Sequence, residues 1–197
     1  MANQPINEMR LYNQRNERLY LNASELARFI DAALRAPIRQ RSFALTLAYT
    51  GVRLSEARIL RGDAIQLEER ILSVQTLKQR GKHVIRELPM PAKLAAEFSL
   101  AATASDALLW HEGGNPVPRI TAYRWIKAVM REAGITGPKA CPKGLRHAYG
   151  TRAILSGVPL HMLQLWMGHT SMQTTAIYAT VVGRDQLVLS DRMWLSD

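Results

Sequence analysis

The chain has 197 residues, 47% of them hydrophobic, which is typical of one globular domain. Its 26 Lys and Arg exceed its 16 Asp and Glu, and the formal net charge of +10 favours a phosphate-rich partner, although charge alone does not separate DNA from RNA or an anionic membrane surface. A single cysteine, Cys141, excludes an internal disulfide framework and a cysteine-based zinc cluster, and no stretch resembles a membrane span or a signal peptide.

The first 20 residues are polar and contain few core-forming side chains. Three arginines, Arg10, Arg15 and Arg18, give this segment a positive charge. We therefore interpret residues 1–20 as a basic arm that contacts DNA and becomes ordered only there. A disordered chain end is the alternative.

A helical region follows the arm. Asn22 begins a capping-box pattern that predicts a helix, and Pro37 ends it. A second helix, about residues 39–50, ends at Gly51, a residue suited to a left-handed cap. That cap places Arg53 at the start of a third, short helix.

The hydrophobic period changes from helical to alternating after Gly62. Residues 64–67, 69–76 and 84–88 have strand character, which predicts a small antiparallel sheet. The turn between the last two strands reads KQRGKH and holds three cations, Lys78, Arg80 and Lys82. Because such turns are usually only solvated, the charge of this turn does not by itself assign it a role.

Helices predominate in the rest of the chain. The pattern predicts five of them, at residues 92–102, 121–133, 143–156, 159–167 and 171–180, with a loop-rich connector after the first. The tail, residues 183–197, carries apolar side chains that would be costly to expose as one patch, so it predicts a final helix. The expected fold class is α+β, mainly α-helical.

Three polar residues stand out in the last predicted helices: Arg146 in the run LRH, His169 in the run MGH, and Tyr178 nine residues after His169. Taken singly, each is most simply an ordinary surface or core residue. Together they resemble the C-terminal half of the catalytic domain of the tyrosine recombinases, the phage integrase family.

Upstream segments extend this resemblance over roughly residues 22–180. The run TGVRLSE, which contains Arg53 and Glu56, looks like the first-arginine box of the family, and Lys78 looks like its β-hairpin lysine. The chain departs from the commoner pattern at Lys143, where many members have histidine. The resemblance implies the tyrosine-recombinase catalytic fold, with a catalytic domain at residues 21–182.

The resemblance also implies a catalytic set that cuts DNA by transesterification, with Tyr178 as the nucleophile. The ordinary pKa of a tyrosine is near 10, so this residue needs nearby cations or a base. Planar guanidinium groups suit a phosphate because they bind two oxygens and stay charged, which gives that role to Arg53 and Arg146. His169 is expected to hydrogen-bond a phosphate oxygen.

The remaining candidates have supporting roles. Lys78 is the candidate acid for the 5′ oxygen, because a lysine whose pKa is lowered can give up a proton. Lys143 is expected to act as a further phosphate clamp, with proton transfer left open. Glu56 could orient the guanidinium of Arg53 or form an ordinary surface salt bridge.

The function expected from this resemblance is site-specific DNA recombination through a 3′-phosphotyrosyl intermediate, by integration, inversion or resolution. A type IB topoisomerase-like nicking-closing enzyme and a noncatalytic DNA-binding regulator remain alternatives. The layout is similar to compact fimbrial phase-variation invertases or to a fragment of a longer integrase. We expect double-stranded DNA as partner and a dimer to tetramer on DNA, with residues 183–197 packing in trans, and we expect a cytoplasmic location. No nucleotide cofactor is expected, because the phosphotyrosyl link conserves the phosphodiester energy. No metal is expected, because the acidic residues do not cluster in the sequence.

Overall fold

A computed structural model describes residues 10–76, 84–100, 106–180, 190, 191 and 194. Its helices are α1 (Ala23–Arg35), α2 (Ile38–Thr50), α3 (Leu54–Ala57), α4 (Ala92–Leu100), α5 (Arg119–Glu132), α6 (Pro142–Leu155), α7 (Leu160–Met167) and α8 (Met172–Ala176), with 3-10 turns at Gly62–Ala64 and Ile177–Thr180. Its strands are β1 (Ile65–Gln66), β2 (Ile71–Thr76), β3 (Val84–Pro89), β4 (His111–Glu112) and β5 (Asn115–Pro116). The predicted α+β class is confirmed. Within the described ranges, no helix has the length and apolar character needed to cross a membrane.

Helix α2 is the centre of the core and packs against α1, α4, α5 and α6. Its side chains are buried on nearly every side, which requires its hydroxyl groups to find partners inside the protein. The Thr46 hydroxyl donates to the carbonyl of Ser42 at 2.8 Å, and the Thr50 hydroxyl donates to that of Thr46 at 2.6 Å. Both hydroxyls are therefore satisfied within α2 itself, which allows this part of the helix to be buried in the core.

The predicted capping box of α1 is present. The Asn22 side chain accepts from the Glu25 backbone N–H at 2.9 Å, and the Glu25 carboxylate accepts from the Asn22 N–H at 2.9 Å. Two donors at the helix start are thereby satisfied. The apolar face of α1, which includes Leu26 and Phe29, then packs into the core.

The main sheet is antiparallel with strand order β1-β2-β3, as the sequence predicts. Leu72 lies opposite Leu88 and Val74 lies opposite Arg86, and all four side chains point inward. Arg86 thus places a charge on the buried face of a strand. Because burying an unpaired charge is costly, it requires a partner inside the protein. The hairpin turn with Lys78, Arg80 and Lys82 lies outside the described residues.

The connector after α4 contains more structure than the sequence predicts. It forms the β4–β5 hairpin, whose turn needs two glycines because Gly113 and Gly114 have φ of 56° and 79°. Trp110, just before it, is buried edge-on against Phe43, with ring centroids 5.0 Å apart. Its indole N–H donates to the Ser42 hydroxyl at 3.0 Å.

Residues 11–20, part of the segment interpreted as an arm, pack against the domain in the structure. The Leu19 N–H donates to the Leu11 carbonyl at 2.8 Å, and Tyr12 forms an isolated bridge with Arg18. Leu11 and Tyr20 are buried in a second apolar cluster, whose other buried members are Ala153, Leu163, Met167 and Tyr178. Burial of these two side chains orders the segment despite its polar composition.

Candidate active site

Arg53 is positioned by the close approach of α2 and α6. Gly51 ends α2 at a φ of 62°, and a Cβ there would lie 2.4 Å from the ring of Tyr149 on α6. Only glycine satisfies both the backbone conformation and the contact. The chain then turns so that Arg53 becomes the first flanking residue of α3.

Glu56 is a fully buried carboxylate that two arginines share. It accepts from the Arg53 guanidinium at 2.8 Å and the Arg53 backbone N–H at 2.9 Å. Arg86 donates to both of its oxygens, at 2.7 and 3.3 Å. Burial alone would raise the pKa of Glu56, but the hydrogen bonds and charge of Arg86, followed by those of Arg53, lower it below its ordinary value. Glu56 therefore orients Arg53 from inside the protein, and the surface salt-bridge alternative does not apply.

Arg86 joins three parts of the fold at this carboxylate. Besides Glu56, it donates to the Thr76 hydroxyl at 2.8 Å and to the Trp166 carbonyl at 2.8 Å. The bonds connect β2 and β3 with α3 and the end of α7. Sequence analysis missed this residue, although Arg86 lies two residues before Leu88 in β3 and therefore faces inward on the same side of the strand.

Arg146 lies on α6 with only 6% of its surface exposed. Its guanidinium donates to the Gly51 carbonyl at 2.5 Å and to the Met167 carbonyl at 2.6 Å. Burial and then the charge of Arg53 lower the pKa of Arg146 to about 9, so it remains a cation at neutral pH. Arg53 itself donates to the Gly168 carbonyl at 3.4 Å, so both arginines reach the loop that precedes His169.

His169 follows Gly168, which ends α7 at a φ of 61°. Its Nδ1 lies 2.8 Å from the Thr175 hydroxyl, whereas its buried Nε2 has no hydrogen-bond partner among the described residues. Burial, followed by the charges of Arg146 and Arg53, lowers the pKa of His169 to about 3, so the ring is neutral at neutral pH. A neutral ring with an unused nitrogen beside two cations can hydrogen-bond an anion.

Tyr178 is completely buried in the structure. Its hydroxyl lies 3.1 Å from Nδ1 of His147, and its ring stacks beside His169 with centroids 6.4 Å apart and planes 10° apart. A Cβ on Gly150 would come within 2.5 Å of the phenol ring, so this glycine opens the slot that the ring fills. Burial raises the pKa of Tyr178 above its ordinary value, more than Arg146 and Arg53 lower it. The phenol is therefore neutral here.

His147 belongs to the LRH run, but sequence analysis gave it no role. Its ring is fully buried, and burial, then the charges of Lys143 and Arg146, lower its pKa to about 3. Lys143 is exposed on the first turn of α6, one turn before His147. The four-residue spacing along α6 would have suggested that Lys143 and His147 lie close together, but only the fold brings Tyr178 to His147.

The structure brings five predicted residues together, and Lys78 lies outside the described residues. The described cluster contains Arg53, Glu56, Arg146, His169 and Tyr178. Arg53 and Arg86 pair with the carboxylate of Glu56, and the charge of Glu56 also acts on Arg146, so the described cluster holds three guanidinium groups and one carboxylate and has an excess of positive charge. The cluster is therefore suited to binding an anion.

The basic residues near the chain start divide into two kinds. Arg15 is exposed, as is Arg10. Arg18 is instead paired with Glu25 at 2.9 Å and lies over the ring of Tyr20, 5.4 Å from its centroid. Its charge contributes to holding the segment on α1.

Comparison with known proteins gives a match over most of the chain. The profile of the family described as "Phage integrase family" matches residues 19–183. The chain is 30% identical over 171 residues to tyrosine recombinase XerA of Pyrococcus furiosus, covering 83% of this chain and 58% of the relative. It is 31% identical over 178 residues to tyrosine recombinase XerD of Bifidobacterium longum, covering 82% and 58%. The chain thus spans little more than half the length of these relatives.

Solved structures share the fold. A crystal structure of XerA recombinase superposes with a TM-score of 0.76 at 26% identity, over 88% of this chain and 64% of that one. A XerH site-specific recombinase bound to a palindromic difH substrate, in a post-cleavage complex, has a TM-score of 0.72 at 21% identity, over 97% and 57%. The second likeness concerns the fold alone.

Proposed function

This chain belongs to the phage integrase family, and we propose that it is a site-specific DNA recombinase that cuts and rejoins strands through Tyr178. One observation carries the proposal: Arg53, Arg146 and the unpartnered Nε2 of His169 meet at one loop with an excess of positive charge. Phosphate oxygens accept hydrogen bonds and carry negative charge, which matches these donors. A DNA strand is the phosphate-bearing partner that the net charge of +10 also favours.

The proposed reaction is a balanced transesterification. The Tyr178 oxygen attacks the phosphorus, the bond from phosphorus to the 5′ oxygen breaks, and the 3′ phosphate becomes linked to Tyr178. The phenol releases its proton to solvent, and Lys78 donates one proton to the 5′ oxygen and regains one from solvent, so the protons balance. A 5′ hydroxyl from another strand then reverses the steps, so that no nucleotide cofactor is consumed.

Arg53 and Arg146 stabilise the charge that develops on the nonbridging oxygens. They do so effectively because Glu56 and the surrounding carbonyls already fix their positions, so little reorganisation is needed during the reaction. Lys143, exposed at the start of α6, adds a phosphate contact at the rim of the site.

In this proposal the described arrangement is a resting form. The Tyr178 hydroxyl faces His147 and is shielded from solvent, so it cannot contact a phosphate of bound duplex DNA without moving. Tyr178 lies in the 3-10 turn Ile177–Thr180, which directly follows the five-residue helix α8. DNA binding must therefore turn Tyr178 out of the Gly150 slot before the chain can cut.

We further propose a cytoplasmic protein that assembles on DNA as a dimer to tetramer. The arm at residues 1–20 and the hairpin cations Arg80 and Lys82 contribute DNA contacts, and residues 183–197 pack on a neighbouring subunit. The names of the relatives, which describe tyrosine recombinases, support the general activity. The DNA sequence and the outcome of recombination are set by contacts outside this catalytic cluster.

The test uses supercoiled plasmids that carry two copies of the DNA flanking the coding region, beside a control plasmid without them. Inverted or deleted products from the first plasmid alone, absent with Tyr178→Phe, are the expected result. Equal relaxation of both plasmids without rearrangement would instead identify a nicking-closing enzyme. Binding to the flanking DNA with no strand cut under any condition would identify a noncatalytic regulator and contradict the proposal.

A further inference from the structure

The hydrogen bond between His169 and Thr175 links two parts of the candidate site. Nδ1 of His169 lies 2.8 Å from the hydroxyl of Thr175, and both side chains are buried, at 7% and 0% exposure. His169 follows the loop that Arg53 and Arg146 contact, whereas Thr175 lies on α8, three residues before Tyr178. The bond thus fixes the ring relative to α8, which leads directly into the turn that carries Tyr178.

The neutral state of His169 makes its tautomer important. A neutral imidazole has one nitrogen that donates and one that accepts, and the partner of one nitrogen determines the role of the other. Nε2 is buried and has no partner among the described residues. A phosphate oxygen can only accept, so Nε2 can bind it only if it carries the proton. In that tautomer Nδ1 is an acceptor.

The opposite tautomer would leave a bare lone pair on Nε2. No group among the described residues satisfies such a lone pair, because Nε2 has no hydrogen-bond partner there. The Thr175 hydroxyl can donate to Nδ1, which favours the tautomer that carries its proton on Nε2. A valine at this position would have nearly the same shape and no proton to donate.

We propose that Thr175 is a positioning residue that donates its hydroxyl proton to Nδ1 of His169 and holds the ring as the Nε2–H tautomer, directed at the anion site. Its role in strand cleavage rests on the proposed function, because the tautomer matters only if His169 binds a phosphate. The tautomer itself is a property of the DNA-free protein. The two claims can therefore be tested separately.

The first measurement is the tautomer of His169 by nitrogen NMR of the DNA-free protein, with the resonances assigned by their loss in His169→Gln. We expect the wild-type ring to carry its proton on Nε2 and to do so also in Thr175→Ser. Thr175→Val should give a mixture of tautomers. Thr174→Val, which makes the same change at the neighbouring half-buried threonine, is the matched control and should leave the ring unchanged.

The second measurement is the rate of covalent DNA attachment. We expect Thr175→Val to slow it about tenfold, while Thr175→Ser and Thr174→Val stay near the wild-type rate and DNA affinity is unchanged. A wild-type ring protonated on Nδ1 would overturn the proposal, even if Thr175→Val failed to fold. An Nε2–H ring in a protein that never attaches to DNA would contradict the proposed function and leave the role of Thr175 in setting the tautomer intact. Wild-type cleavage by a folded Thr175→Val would overturn its role in the reaction.

Discussion

The hydroxyl of Tyr178 lies 3.1 Å from Nδ1 of His147, and both side chains are fully buried. The proposed nucleophile therefore has its reacting oxygen engaged by the protein. Burial of the phenol and of the imidazole shifts both groups toward their neutral forms, because charged groups lose hydration inside a protein. The neutral pair stabilises the buried form, and in the proposed reaction it breaks when Tyr178 attacks DNA.

Replacing His147 tests whether this contact restrains Tyr178. His147→Phe keeps an aromatic ring but removes the partner of the phenol hydroxyl, so we expect release of Tyr178 to become easier and covalent attachment to become about two- to tenfold faster. That range corresponds to the roughly 0.5–1.5 kcal/mol of an ordinary hydrogen bond. Single-turnover attachment rates measure it. A slower variant with an intact fold would show that His147 assists the reaction itself.

The Arg86–Glu56 pair should be important for stability. Arg86→Met leaves the Glu56 carboxylate with only Arg53 as a charged partner, and we expect a loss of about 3–5 kcal/mol in the free energy of unfolding. The double variant Arg86→Met with Glu56→Gln should recover much of it. Denaturant unfolding measures both changes, with Arg131→Met on the exposed face of α5 as a control. Equal losses for Arg86→Met and the control would contradict the buried role.

The buried histidines predict a dependence of stability on pH. The pKa values of His147 and His169 fall from an ordinary 6.5 to about 3 in the folded protein, so the unfolded chain binds more protons below pH 6.5. Stability is therefore greatest above pH 6.5 and falls as the pH is lowered toward 3, by up to about 1.4 kcal/mol per pH unit for each ring.

Denaturant unfolding between pH 6 and pH 5 measures this slope in a window above the ordinary carboxylate pKa values. His169→Gln removes one of the two titrating rings and should reduce the slope by up to about 1.4 kcal/mol per pH unit. An unchanged slope in this variant would show that His169 titrates normally in the folded protein.

The two basic residues near the chain start should respond differently to substitution. Arg15 is exposed, so Arg15→Ala should reduce the slope of log affinity against log salt by about 0.9 if it contacts one phosphate. Arg18 is paired with Glu25, so Arg18→Ala should leave that slope nearly unchanged. Binding to duplex DNA across a salt series gives both values. Equal reductions would mean that the segment opens on DNA, as the sequence predicts for an arm.

Patterns within the sequence predict those features of the site that depend on nearby residues or on the family resemblance. Gly51 marks the end of α2 and hence the position of Arg53, and the runs around Arg146 and His169 indicate the later helices. Neither the run around Arg146 nor the run around His169 shows by itself that the two lie close together in the fold. It was predicted only because the combination resembles a known family.

Other features depend on packing between distant parts of the chain. Arg86 reaches Glu56 across 30 positions, and a charged residue on the inward face of a strand cannot be assigned a partner from alternation alone. Tyr178 meets His147 across 31 positions, so its burial could not be predicted from spacing. Leu11 and Tyr20 gave too weak a pattern to predict that their segment would pack on the domain.

The most direct test of the central claim identifies the residue that becomes linked to DNA. The wild-type protein is incubated with nicked suicide substrates made from the flanking DNA, the covalent complex is isolated under denaturing conditions, and the peptide that carries nucleotide is sequenced by mass spectrometry. The account predicts a 3′-phosphonucleotide on Tyr178 and no linked peptide from Tyr178→Phe. A nucleotide attached to another residue, or attached through its 5′ phosphate, would contradict it.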